Sequence, residues 1–235
     1  MSNTSYGQYC SLAMSAEFLC SRWTMLILRE LLFKSSSFND IARGVPRMSR
    51  TLLSKRLKEL IEIGVVKRTA VDTGNQADYT LTEAGDALGN VVFSMAKWGQ
   101  EWLNIEPSVK DVDADLLMWD IRRNVTPISI LPKSFVVHFL LTDVPKKKSD
   151  RWLVFSKEQV DLCYVDHNFD VDVQIEVSAK TLAKIWMGWA IFEEAVLSKQ
   201  IVLRGPEKFT KIALEWLGRS SLAHIQKQPK PMRVA

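Results

Sequence analysis

The chain has 235 residues, 47% of them hydrophobic and 25% charged, with a formal net charge of +4 at pH 7. These are globular proportions and fit neither a disordered chain nor a membrane protein. The longest apolar runs, such as SFVVHFLL, fall far short of the roughly 18 residues that a membrane span requires.

Helical periodicity dominates the first hundred or so residues. AEFLCSRWTMLILRELLF is apolar on most sides and reads as central core helices. Ser37 and Asp40 form an S-x-x-D capping box that opens a short helix. Gly44 ends that helix, and Pro46 keeps it from continuing. Ser49 suits the N-cap of the helix that follows. Leu53, Leu57, Leu60 and Ile61 recur at i, i+4, i+7 and i+8 as an inward stripe. Thr51, Ser54, Lys55 and Lys58 fall opposite it, and Gly64 is the stop. VVKRTA and YTL then read as short strands around the turn-prone VDTGNQAD. Helix, turn, helix and hairpin make a winged helix-turn-helix in outline.

Between Arg43 and Arg68 stand eight basic residues, at 43, 47, 50, 55, 56, 58, 67 and 68, against two acids, Glu59 and Glu62. The stretch alone therefore carries +6 (8 minus 2), whereas residues 1–104 hold 12 basic and 10 acidic side chains in all. A surplus gathered in one place is the electrostatic footprint of a nucleic-acid partner. Taken by itself, such a helix is as well explained as a solvated amphipathic face. The capped helix before it and the hairpin after it are the parts that present one helix to a major groove roughly 12 Å wide. Contact with double-stranded DNA is therefore assigned to Ser37, Arg47, Ser49, Arg50, Thr51, Ser54, Lys55, Lys58 and Arg68, with Asn75 and Gln76 at the tip of the wing. Short side chains at the helix start allow close approach to base edges, while Arg47, Arg50 and Lys55 reach phosphates or guanine. Arg56, nearer the apolar side, is expected to be ordinary surface charge.

The next helix is predicted over 83–104. Its Leu88, Val91, Val92, Met95 and Trp102 form an apolar stripe longer than a small winged domain needs, which predicts a homodimer through this helix. The polar stretch 105–112, with Pro107, reads as a linker between a first domain of residues 1–104 and a second of residues 113–220. In the second half, SFVVHFLLT, RWLVF, VDLCYV and VDVQIEV are strand-like. Val171, Val173, Ile175 and Val177 alternate with Asp172, Gln174 and Glu176, so that strand has one wet and one buried face. Ser178 caps the helices of TLAKIWMGWAIFEEAVL, IVL is a short strand, and Pro206 suits the first position of a last helix ending near Gly218. The fold class is α+β, a winged helix-turn-helix followed by a sheet with helices packed against it. Residues 221–235, basic and proline-containing, are expected to be disordered.

Taken together, Cys10, SRWTMLILRELL, FNDIARGVPRMSRTLLSKRLKELIEIGVVKR and YTLTEAG…WGQEW resemble the HxlR-type family of bacterial winged-helix transcription regulators, over residues 10–104. The resemblance implies a dimeric DNA-binding repressor or activator, and it makes Cys10 a candidate redox sensor. As a plain free cysteine, Cys10 reads instead as a small buried hydrophobe. VDVQIEVSAKTLAKIWMG and SKQIVLRGPEKFTKIALEWL resemble the sterol-carrier-protein fold, over residues 113–218. That resemblance implies a sheet and covering helices around an apolar tunnel, which would hold a hydrophobic small-molecule effector. Val137, Phe139, Trp186, Met187, Trp189 and Phe192 are its candidate lining; large aromatics fill cores as readily as they line pockets.

The three cysteines and three histidines are scattered and offer no disulfide framework or metal spacing. No nucleophile–base set, paired carboxylates, phosphate loop or cofactor fingerprint is visible. The expectation is a non-enzymatic regulator without cofactors or membrane partner. MSNTSYGQYC carries no basic segment followed by an apolar one, which points to the cytoplasm. The alternative is a ligand-independent regulator whose second domain is a scaffold or partner-binding module.

Overall fold

A computed structural model describes residues 5–70, 77–104, 110–125, 127–157 and 159–234. The chain forms two compact units, Met1–Met95 and Ala96–Ala235.

The first unit is built from α1 (Ser11–Leu19), α2 (Thr24–Leu32), α3 (Phe38–Gly44), α4 (Arg50–Glu62), β1 (Val66–Ala70), β2 (Ala77–Leu81), α5 (Glu83–Ala87) and the start of α6 (Gly89–Trp102). The run read as core helices breaks at Trp23, whose φ of 80° ends any continuation. Of the two pieces, α2 is the core helix, with Ile27 and Leu28 fully buried, while α1 buries Leu19 and leaves Leu12 77% exposed. Ile41 of α3 and Leu53, Leu57 and Leu60 of α4 close the core around α2. The hairpin is antiparallel, in a register from Val66 opposite Leu81 to Ala70 opposite Ala77. The segment before α3 is tied to it: Tyr79 N donates to Ser36 O at 2.8 Å, and the Ser36 hydroxyl donates to Asp78 at 3.1 Å. The helix predicted over 83–104 is two helices, α5 capped by Thr82 and α6 beginning at Gly89.

The second unit holds α7 (Ala114–Asn124), β3 (Phe135–Leu141), β4 (Asp150–Phe155), β5 (Val160–Cys163), β6 (Val173–Val177), α8 (Ala179–Trp186), α9 (Phe192–Leu197), β7 (Ile201–Arg204), α10 (Glu207–Thr210) and α11 (Ala213–Leu217). The strands form one sheet in the order β5-β4-β3-β6-β7. β3 and β6 are parallel and every other pair is antiparallel. Phe135, Val137, Phe139 and Leu141 of β3 and Val173, Ile175 and Val177 of β6 share one face. Leu117, Met118 and Ile121 of α7, Leu182 and Ile185 of α8, and Trp216 of α11 pack over that face in a single buried cluster. The alternation read from the β6 sequence holds for Val173, Ile175 and Val177, while Val171 lies before the strand and is 39% exposed. α7 was not anticipated. It starts where the Asp113 carboxylate accepts the Asp115 and Leu116 N–H groups at 3.0 and 3.1 Å, an ordinary N-cap.

The structure draws two boundaries differently from the sequence reading. The units divide inside α6, between Met95 and Ala96, and not at residues 105–112, of which 105–109 lie outside the described residues. The reason is that the last turn of α6 is built into the second unit. Gln100, 4% exposed, donates to Met187 O and accepts from Trp189 Nε1, both at 2.9 Å. The tail expected to be disordered is also bound there. Lys227 Nζ donates to the carbonyls of Gln100 and Leu103 at 2.6 and 2.9 Å, satisfying groups that a helix end leaves unpaired. Val234 N donates to Trp102 O, and Asn104 N donates to Val234 O. Burial, reinforced by Arg233, pushes the Lys227 ammonium below its usual pKa.

Candidate nucleic-acid interface

The turn between α3 and α4 is set by a buried charge. Glu30 on α2 is 0% exposed, and its carboxylate takes the Arg29 guanidinium through Nε at 2.9 Å and Nη2 at 2.7 Å. The same Arg29 Nη2 donates to Gly44 O at 2.8 Å, which fixes the end of α3. A side chain at Gly44 has no room, since its Cβ would lie 1.9 Å from the Glu30 carboxyl carbon. Val45 and Met48 then turn inward, closed by Met48 N donating to Val45 O at 2.9 Å, while Pro46 and Arg47 stay outside.

α4 begins where the Ser49 hydroxyl accepts the Leu52 N–H at 3.3 Å. Its stop is Gly64 at φ 80°, with Gly64 N donating to Ile61 O and Val65 N to Leu60 O, both at 3.0 Å, the paired bonds of a Schellman cap. With Leu53, Leu57 and Leu60 inside, Arg50, Thr51, Ser54, Lys55 and Lys58 are all exposed on the outward side, and Arg47, Ser49 and Arg68 are exposed around them. The structure thus brings most of the assigned residues to one helix and its flanks. Asn75 and Gln76, the wing-tip residues, lie outside the described residues.

Not every assigned side chain has its polar atoms to spare. The Ser37 hydroxyl accepts the Asp40 N–H at 3.1 Å and donates to the Asp40 carboxylate at 2.8 Å, so its role is the cap of α3. Among the basic residues, Arg43 pairs with Asp40 at 2.7 Å and Arg56, its side chain 24% exposed, with Glu59 at 2.5 Å. Lys58 reaches Glu62 at 3.8 Å. Arg50 is held from behind. Asn39 Oδ1 accepts from both of its terminal nitrogens, one at 3.1 Å, and the Phe38 ring lies 5.3 Å beneath the guanidinium. Asn39 and Phe38 were missed because their partner is across the turn, and the sequence gives no periodic signal for such a pair. A guanidinium fixed by a neutral amide keeps its charge and loses less rotamer freedom when it meets an anion.

The apolar stripe of α6 separates into two faces. Leu88 and Val92 pack against the core of the first unit. Val91 and Met95 are 47% and 60% exposed, and Trp98, at 50%, continues their line toward a half-buried Trp102. Val91, Met95, Trp98 and Trp102 stand at i, i+4, i+7 and i+11. Trp98 was missed in the sequence because the two faces were read as one. Phe93, 48% exposed, lies beside this line.

Cys10 is exposed at the N-cap position of α1. The backbone N–H groups of Ala13, and then Leu12, favour its thiolate and lower its pKa from the usual thiol value. The reading of Cys10 as a buried hydrophobe therefore fails.

The residues assigned to an apolar pocket come together as core. Val137 and Phe139 are 0% exposed, Trp186 is 2% and Phe192 is 7%, all in the cluster between sheet and helices, with Met187 packed against it. Trp186 Nε1 donates to Asp120 at 2.8 Å, and Trp189 is taken up by Gln100. A cleft of about 530 Å³ lies elsewhere, over His138, Gln174 and Arg204 on the other face of the sheet.

Comparison with known proteins places the first unit. The family described as HxlR-like helix-turn-helix matches residues 18–107. The uncharacterized HTH-type transcriptional regulator YvaP of Bacillus subtilis is 40% identical over 98 residues, 41% of this chain and 89% of that protein. The HTH-type transcriptional regulator YodB of the same organism is 35% identical over 85 residues, 36% of this chain and 76% of that one. The solved reduced form of YodB matches with 33% identity and a TM-score of 0.35, covering 40% of this chain and 93% of that chain.

Proposed function

This chain belongs to the HxlR-like helix-turn-helix family of transcriptional regulators, and we propose that within it the protein is a homodimer that lays α4 in the major groove of an operator. One observation carries the reading. Arg50, Thr51, Ser54, Lys55 and Lys58 stand exposed on one helix whose opposite side is locked into the core. Each phosphate neutralised contributes about 0.9 to the slope of log affinity against log salt on duplex DNA. Replacing Arg50 and Lys55 together by alanine should therefore weaken duplex binding and flatten that slope. Unchanged affinity at moderate salt would remove α4 from the groove.

Dimerisation is assigned to the outward line of α6, with Val91, Met95, Trp98 and Trp102 meeting the same line of a second copy. A two-fold pair of this kind addresses half-sites about 34–36 Å apart. For the second domain, helices covering one face of a sheet agree in outline with a sterol-carrier-like architecture. The burial of Val137, Phe139, Trp186 and Phe192 in one core cluster favours a scaffold over a hydrophobic effector seated between sheet and helices. Exposure and a lowered pKa also favour a second role, Cys10 as a thiol that responds to electrophiles.

A further inference from the structure

The outward face of the second-unit sheet is not an ordinary solvated surface. Strand register aligns Cys163, Trp152, His138, Gln174 and Arg204 in one row across all five strands. The middle of that row is a connected network. His138 stacks on Trp152 with ring centres 4.9 Å apart and an interplanar angle of 17°. Its Nε2 lies 2.8 Å from Asp150 Oδ1, and Gln174 Nε2 donates toward Nδ1 at 3.4 Å. An ionised carboxylate only accepts, so Nε2 is the donor toward Asp150. Burial pushes the Asp150 carboxyl up, but the Ser149 hydroxyl and His138 outweigh it and hold it below the usual carboxylate range. Trp152 is 7% exposed, with Phe169 6.2 Å from it.

Beside the network lies an open cleft of about 530 Å³. It is lined by His138, Gln174, Val171, Pro206, Arg204 and Asp172. Arg204, with its side chain 55% exposed, gives Nη1 to Glu176 at 2.8 Å, which leaves further N–H donors in a five-donor fork. Gln174 uses one amide N–H on His138, so its carbonyl and second N–H remain for a ligand. Asp172 accepts the Val136 N–H through Oδ2 at 2.8 Å, leaving Oδ1. The lining therefore offers a cation, an amide, an aromatic ring and a separate acceptor.

We propose that this outer cleft binds a small planar aromatic carboxylate bearing a hydrogen-bond donor. Its carboxylate sits on Arg204 and Gln174, its ring on His138 between Val171 and Pro206, and its donor on Asp172. The site is distinct from the packed interior and needs no DNA, so it is tested apart from the operator reading.

The experiment uses the full chain and follows the ring signals of His138 by NMR, assigned by their loss in His138→Gln. The probes are 4-hydroxybenzoate, benzoate, which lacks the donor, and 4-hydroxybenzamide, which lacks the charge. 4-Hydroxybenzoate should give a saturable shift and bind more tightly than either of the others. A charge-assisted hydrogen bond is at stake, so Arg204→Gln, with unchanged thermal melting, should weaken it at least about tenfold. Gln174→Glu, which sets a like charge beside the carboxylate, should weaken it as well. A shift that never saturates would overturn the proposal, as would equal binding of the three probes or an Arg204→Gln variant that binds like the wild type.

Discussion

The two units differ in how far their ion pairs reach along the chain. In the first, ion pairs join near neighbours in sequence, Arg29 with Glu30, Arg43 with Asp40, Arg56 with Glu59 and Lys58 with Glu62. Large apolar side chains such as Leu12, Met14, Val91 and Met95 are left in solvent. In the second, near-neighbour pairs such as Arg123 with Asp120 and Lys211 with Glu207 stand beside pairs that reach across the fold. Asp115 of α7 holds Lys148 at 2.6 Å and the 3%-exposed Arg151, and Glu176 holds Arg204. Its aromatic residues Phe135, Phe155, Phe209 and Trp216 meet edge to face inside.

The largest test of this contrast is on α6. Val91→Glu with Met95→Glu places charge where a second copy would bury apolar surface, while Leu88 and Val92 keep the core intact. Sedimentation at micromolar concentration should show a dimer for the wild type and a folded monomer for the variant. Losing bivalent engagement of two half-sites should lower operator affinity by roughly two orders of magnitude. A wild-type monomer would assign the apolar surface to another partner.

In the second unit the expected change is in stability. Asp115→Asn leaves Arg151 buried with its charge unbalanced, at a cost of about 3 kcal/mol by denaturant unfolding. Burial pushes the Asp115 carboxyl up, but hydrogen bonds from Lys148 and Arg151 outweigh it and hold it below the ordinary range. With the folded pKa depressed, the stabilisation is complete above the unfolded carboxylate value of about 3.9 and fades as pH falls through the lower folded value. The variant should accordingly show a flatter acid limb. An identical pH profile would mean that the pair contributes nothing.

The smallest effect compares the thiols of the two units. Backbone N–H groups favour the Cys10 thiolate, whereas burial and then Asp161 push Cys163 up. At about neutral pH, iodoacetamide should label Cys10 at least about tenfold faster than Cys163, read by peptide mass spectrometry. Equal rates would end the case for Cys10 as a reactive thiol.

Much of the first unit was legible because its signals are local. The Ser37 and Ser49 caps, the Gly64 stop and the Leu53, Leu57 and Leu60 stripe each depend on residues within about two helical turns, where spacing implies contact. The alternation in β6 and the cap at Ser178 were legible in the same way. The interior of the second unit was not. Val137, Phe139, Trp186 and Phe192 have the composition of a pocket lining and of a core alike, and only the helices that fill the space between them decide which.

The sequence by itself determined the family of the first unit, the exposed basic side of α4 and the α+β character of the second. The tertiary structure alone decided what those elements meet. It placed Asn39 behind Arg50, split the α6 stripe into an inner and an outer face, and bound the tail at Lys227 to the carbonyls ending α6. It also lined up residues from 138 to 204 across one sheet. The physical reason is that side-chain periodicity fixes which face a residue occupies, whereas the partner on that face is set by strand register and helix packing between segments far apart in the chain.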